Sequence, residues 1–184
     1  MSLDQAGYEI LPQFVDTAQV ALCRQVILHE ATAGLLKPDR TVPDAPAGRD
    51  TAVLQRLHET LRPKLEAQTG KRLFRTYVYY RVYGRGDTLQ KHKDRPACEY
   101  SITLNLGGES TVDWPIFVHS GGHDVPVSLN PGDAMLYMGC EVPHWREAYT
   151  GDQQVQAFLH YVDQDGPHAA HKDDAIHFQR DGNN

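Results

Sequence analysis

At residue 72 the hydrophobic pattern of this chain changes period, and that change restricts the folds it can adopt. Before it, apolar residues recur at helical spacing. Asp16 stands three residues ahead of Gln19 and starts a helix predicted over 17–33, with Val20, Cys23, Ile27 and Ala31 on one face. A second helix is predicted over 50–68, with Leu54, Leu57, Leu61 and Leu65 in line, Pro63 inside it and Gly70 as its stop. Between them, 34–49 carries Gly34, Pro38, Pro43, Pro46 and Gly48 and reads as a loop.

After residue 72 the apolar residues alternate, as they do in strands with two unlike faces. In 73–83, Phe74, Val78, Tyr80 and Val82 form the face expected to pack on the helices. Tyr77, Tyr79, Arg81 and Tyr83 form an aromatic but hydrogen-bonding face, suited to a polar cavity. The stretch 99–106 alternates again, and shorter strands are expected at 115–119, 125–129, 133–138, 144–149 and 154–162, separated by Gly, Asn and Pro turns. About seven or eight short strands with such turns mean a sandwich or barrel. The chain is therefore read as one mainly β domain, with helical support over 1–70, a β core over 71–163 and a polar, His-rich tail over 164–184 without assigned structure.

The charge balance narrows the partners. A net charge of −6 and a sequence pI near 5.9 argue against nucleic acid or an anionic membrane surface. No stretch approaches the roughly 20 apolar residues that span a bilayer. Three separated cysteines without a C-x-x-C pair read as reduced thiols, and the first residues show no signal-peptide pattern, so a cytoplasmic protein is expected. Cys140 reads as a buried thiol, and His160 as an inward-facing core histidine near the site.

The residues that carry chemistry are His92, Asp94 and His144. His92-Lys93-Asp94 puts two side chains on one side of an extended segment, and two imidazoles with one carboxylate form the facial triad that leaves iron(II) with open positions. The tripeptide alone is weak, because about one H-x-D is expected by chance in a chain this rich in His and Asp. Indeed His171-Lys172-Asp173 repeats it in the tail, followed only by His177. The first copy differs in its context: a strand with a polar face precedes it, and Pro143-His144-Trp145 opens a later strand.

The segments "YGRGDTLQKHKD", "EYSITLNLGG", "NPGDAMLY" and "PHWREAYTGDQQVQAFLHYVD", in that order, resemble the iron(II)/2-oxoglutarate-dependent dioxygenases, and within them the prolyl-4-hydroxylase-like group. The resemblance covers about residues 77 to 163. It implies a double-stranded β-helix, the jelly roll of the cupin-like folds. It also implies iron(II), 2-oxoglutarate as cosubstrate and O₂, with succinate and CO₂ as coproducts of hydroxylation. Halogenases of this superfamily replace the carboxylate ligand by a small residue, so the presence of Asp94 implies hydroxylation or desaturation.

In the family a basic residue beyond the second histidine grips the distal carboxylate of 2-oxoglutarate. Here that stretch is Gln153-Gln154-Val155-Gln156, with no cation. Arg146, two residues after His144, should face the same cavity and could take the carboxylate in a two-pronged fork. Arg81 is the rival cation, with Tyr79, Tyr83, Thr103, Gln154 and Gln156 as helpers. Arg95, Glu99, Trp114 and Trp145 are the candidates on the substrate side, and a small carboxylate-bearing molecule is the expected substrate. Three alternatives stand beside this reading: a prolyl or peptidyl hydroxylase, a zinc hydrolase using the same ligands, and a non-catalytic cupin-like binding module.

Overall fold

The computed structural model describes residues 3–174. After a short helix α1 (Leu3–Ala6) and strand β1 (Tyr8–Leu11), helix α2 spans Thr17–Thr32 and helix α3 spans Ala52–Thr69. Strand β2 (Ala47–Arg49) lies between the two long helices. Asp16 caps α2 by accepting a 2.8 Å bond from the Gln19 N–H, and Gly70 closes α3 at a φ of 66° that suits glycine.

The remaining strands are β3 (Leu73–Gly84), β4 (Leu89–His92), β5 (Tyr100–Gly108), β6 (Ile116–Ser120), β7 (His123–Val127), β8 (Ala134–Met138), β9 (His144–Arg146) and β10 (Gln153–Asp163). They form a six-stranded sheet ordered β1-β8-β5-β10-β3-β2 and a four-stranded sheet ordered β4-β9-β6-β7. All registered pairs are antiparallel. This is the double-stranded β-helix that the family resemblance implies, within the sandwich-or-barrel class expected from the alternation. The outer face of the large sheet is covered by the helices: Val20, Cys23, Ile27, Leu54, Leu57, Leu61 and Leu65 pack with Val78, Tyr80, Val82, Ile102, Leu104 and Leu106. The inner face meets the small sheet, where Ile116, Val118 and Val127 pack with Met135 and Tyr137.

Three features depart from the sequence reading. β1 and β2 fall in segments read as part of the helical support and as a loop; each is only three or four residues long and gains its bonds from an edge, β1 on β8 and β2 on β3. The register of β10 against β3 slips between Leu159 and Tyr161, leaving one extra residue on β3 between Arg75 and Val78. Such a bulge turns the preceding side chains over. Leu73, not Phe74, therefore joins the helix-facing core, and Phe74 lies under the Lys172 ammonium, 5.4 Å from its ring centre. The tail is also not without structure, since Ala169–Asp173 form a 3-10 turn that includes His171. His177 lies outside the described residues.

Candidate metal centre

β4 and β9 pair so that His92 stands opposite His144. That register, with Asp94 just beyond β4, gathers the three side chains from segments far apart in sequence. Their ligand atoms all lie within 4.8 Å of one another. Asp94 Oδ1 is 3.4 Å from His92 Nε2 and 3.6 Å from His144 Nε2, and the two imidazole centres are 4.4 Å apart.

The orientation of both rings is fixed from behind. His92 Nδ1 bonds to the Gln90 carbonyl at 2.8 Å and His144 Nδ1 to the Val142 carbonyl at 2.9 Å. A carbonyl only accepts, so each Nδ1 carries the donated hydrogen, and Nε2 is the nitrogen that each ring turns toward Asp94. Backbone support of this kind is what holds metal-ligating histidines in one tautomer. Burial lowers the pKa of His144 and keeps its ring neutral. Burial also opposes charge on His92, but its bond to Asp94 outweighs this and raises its pKa. For Asp94, burial is outweighed by the bond to His92 and by the nearby imidazoles, so its pKa falls and the carboxylate is ionised.

Asp94 is itself held on two sides. Its N–H donates to the Gly139 carbonyl at 2.9 Å, and Ser101 Oγ stands 3.3 Å from Oδ2 and 2.8 Å from His160 Nδ1. Gly139 has no room for a side chain: a Cβ there would lie 2.3 Å from the Cys98 carbonyl and 2.6 Å from Asp94 Oδ2. A second grouping, Asp94, Cys98 and His160, also lies close together. It is a poorer donor set, because burial raises the Cys98 thiol far above its ordinary value and His160 Nδ1 is engaged by Ser101. Two imidazoles with Nδ1 tied to backbone carbonyls and an ionised carboxylate, at His92, His144 and Asp94, fit a divalent first-row metal.

A cavity of about 620 Å³ opens beside the triad. Its wall includes Tyr77, Tyr79, Arg81 and Tyr83 of β3, the polar face expected from the sequence, together with Leu89, Arg95, Ile116, Tyr137, Phe158 and His160. Arg81 is committed to Asp39, with a 2.6 Å ion pair, and to the Tyr79 hydroxyl at 2.8 Å; Tyr79 itself also bonds Asp39.

Arg146 is buried behind this wall, with its guanidinium 4.6 Å over the Trp114 ring and Nη1 donating to the Trp114 carbonyl at 2.5 Å. Trp114 in turn packs edge-on against Tyr83. Among the described residues no carboxylate lies within ion-pair distance of Arg146, and its Nε has no partner. Burial pulls its pKa down to about 10. Thr103 Oγ1 and Gln156 Oε1 are likewise buried and unpartnered, whereas Gln154 bonds Asn105 Oδ1 at 2.6 Å.

Several sequence candidates take other places. Trp145 points away from the cavity, because its neighbours His144 and Arg146 point in; it stacks on Phe117 under the Lys91 ammonium. Glu99 does not line the cavity but accepts the Asp163 N–H at 2.8 Å. Trp114 lies one layer back, against Tyr83 and Tyr149. Cys140 is only partly buried and contacts the Arg95 carbonyl. The sequence reading missed Tyr137, Ser101 and Gly139. Alternation with Met135 on β8 could have placed Tyr137 inward, and Ser101 was visible on the polar face of 99–106; nothing in the sequence marks Gly139.

No family model matches the chain, and no curated protein matches it by sequence. Solved structures do match. A prolyl-4-hydroxylase from Pseudomonas putida superposes with a TM-score of 0.73 at 14% identity, over 88% of this chain and 95% of that one. The epimerase SnoN, in complex with Fe³⁺, α-ketoglutarate and nogalamycin RO, gives a TM-score of 0.74 at 13% identity, over 88% and 80% of the two chains. HygX from Streptomyces hygroscopicus, with nickel, 2-oxoglutarate and hygromycin B bound, gives 0.69 at 14% identity, over 89% and 85%. At these identities the likeness is one of architecture: the chain has the double-stranded β-helix fold that these proteins share.

Proposed function

We propose that this chain is an iron(II)- and 2-oxoglutarate-dependent oxygenase that hydroxylates a C–H bond of a small molecule, releasing succinate and CO₂. The observation that carries the reading is the triad: His92 Nε2, Asp94 Oδ1 and His144 Nε2 converge beside a cavity, with both Nδ1 atoms tied to backbone carbonyls. Bound there, iron(II) with 2-oxoglutarate and O₂ would supply the oxidising power for C–H cleavage. His92, Asp94 and His144 would hold the metal by one face and leave the cavity side open. Ser101 and the Gly139 carbonyl keep Asp94 in place while substrate enters.

Arg146 is the residue best suited to the distal carboxylate of 2-oxoglutarate. It is a buried cation with no carboxylate partner among the described residues, on the same side of β9 as His144, and an arriving carboxylate would meet a guanidinium already stripped of water. Thr103 and Gln156 offer further buried polar atoms that lack partners among the described residues. Arg81 is the weaker choice because Asp39 already neutralises it. The cavity's volume supports a small molecule over a long peptide, and SnoN and HygX, which carry small-molecule ligands in their solved complexes, share the fold.

Anaerobic reconstitution tests the reading. The iron(II)-loaded protein is expected to develop a visible metal-to-ligand band when 2-oxoglutarate is added. An iron-loaded sample without that band would overturn the cosubstrate assignment, and failure to take up iron would overturn the triad.

A further inference from the structure

The chain carries a net charge of −6, yet five of its cations, Lys37, Arg40, Arg49, Arg81 and Arg95, line the cavity beside the triad. Arg81 has Asp39 as its counter-ion, and Lys37 and Arg40 are exposed. Arg49 and Arg95 are arranged differently. Their guanidiniums lie over the same ring, that of Tyr77, at 4.1 and 4.7 Å from its centre. Two cations on one aromatic ring repel each other unless an anion lies within reach of both.

That anion comes from the chain itself. Asp174, at the end of the Ala169–Asp173 turn, sends its carboxylate to both arginines. Arg95 grips it with two nitrogens, Nη1 to Oδ1 at 3.0 Å and Nη2 to Oδ2, and Arg49 Nη2 lies 3.9 Å from Oδ2. The two arginines arrive from different elements: Arg49 ends β2, and Arg95 directly follows the triad carboxylate Asp94. A carboxylate held here is therefore gripped by two arginines that line the same cavity as the triad. Arg95 remains more than a third exposed, so an anion from solvent can reach it, while Asp174 itself is mostly covered.

We propose that Arg49 and Arg95 form a subsite for a substrate carboxylate, and that Asp174 occupies it until the substrate displaces the tail. This rests on the oxygenase reading for the meaning of "substrate", but the subsite itself is a binding claim that stands without turnover. It assigns the substrate to the carboxylic acids and makes the segment after β10 a tethered competitor.

Equilibrium binding to the full chain tests it, with matched acids and amides as probes: benzoate against benzamide, and N-acetylglycine against N-acetylglycinamide. Microcalorimetry should show the acids binding more tightly than the amides. In Asp174→Asn the acids should gain at least about threefold in affinity, because a neutral amide competes poorly for the two arginines. In Arg95→Gln, and separately in Arg49→Gln, the preference for acid over amide should fall to near unity, with circular dichroism verifying the fold of each variant. Equal binding of acids and amides in Asp174→Asn would overturn the proposal, as would an acid preference that survives loss of both arginines. The visible band of the iron(II)-loaded protein with 2-oxoglutarate is recorded in parallel. No band together with an intact, arginine-dependent acid preference removes the oxygenase reading and keeps the subsite; the reverse result removes the subsite alone.

Discussion

Replacing Arg146 by methionine should make the protein more stable and, at the same time, poorer at holding the 2-oxoglutarate proposed as its cosubstrate. The side chain sits against Trp114 with no carboxylate in ion-pair range among the described residues, and burial lowers its pKa from 12.5 to about 10. At 1.36 kcal/mol per pKa unit, that fall means about 3 kcal/mol of penalty for keeping the charge inside. The sign follows from linkage. A base whose folded pKa lies below its unfolded one is destabilising at every pH below the folded value, and the penalty fades only as pH rises past about 10. Between pH 7 and 9 the full penalty applies.

Methionine removes that penalty at similar volume but leaves the Trp114 carbonyl without its donor, a loss of roughly 1–2 kcal/mol. The net gain is about 1–2 kcal/mol, or a rise of roughly 3–6 °C in Tm for a domain of this size. Cosubstrate binding moves the other way. Two charge-assisted bonds to a carboxylate are worth at least about 3 kcal/mol together, so the Kd for 2-oxoglutarate should rise about 100-fold or more. Differential scanning fluorimetry without cosubstrate gives the first quantity, and anaerobic titration of the visible band gives the second. A variant that melts lower and binds 2-oxoglutarate as tightly as the parent would refute the argument, since Arg146 would then be structural.

Two further outcomes follow from the described geometry. Gly139→Ala forces a Cβ to within 2.6 Å of Asp94 Oδ2 and 2.3 Å of the Cys98 carbonyl, so the loop must shift. It should cost about 1–3 kcal/mol in urea unfolding and weaken iron(II) binding at least about tenfold; calorimetric titration with iron(II) checks the second effect. His58 is buried, bonds the His160 carbonyl at 2.9 Å, and has its pKa pulled by burial from 6.5 to about 3. The unfolded chain therefore takes up a proton there first, and stability is lost as pH falls from 6.5 toward 3. His58→Gln should flatten that decline by up to about 1.4 kcal/mol per pH unit, read from urea midpoints at several pH values.

Much of this architecture is legible in the sequence because its signals are local. Capping by Asp16, the leucine line of α3 and the two unlike faces of β3 and β5 each follow from a few neighbouring residues. Convergence of His92, Asp94 and His144 was an expectation from strand alternation and family resemblance, and the pairing of β4 with β9 brings them together. What escaped notice depends on contacts distant in sequence. The bulge in β3 is a property of its pairing with β10, and it moved Phe74 out of the core. β1 and β2 are too short to carry a periodic signal and exist because an edge was there to pair with. Trp145 is the exception, since the parity that turned His144 and Arg146 inward also turned Trp145 outward. Asp174 could not have been linked to Arg95 from sequence, because nothing local joins a tail residue to one 79 positions earlier.

β2 has a second consequence, apart from carrying Arg49 to the cavity. It is the last strand on its side of the large sheet, and only three residues long, so few backbone groups remain open for another chain to join. Gly48 lets it lie close over Tyr80, where a Cβ would come within 2.6 Å of the ring. Were the 34–49 segment cut or displaced, β3 would become the border: twelve residues long, rich in tyrosine and valine, and ready to template pairing between molecules. The segment that walls the cavity thus also covers the edge of β3, and its loss should be noticed first as insolubility, before any change in ligand preference.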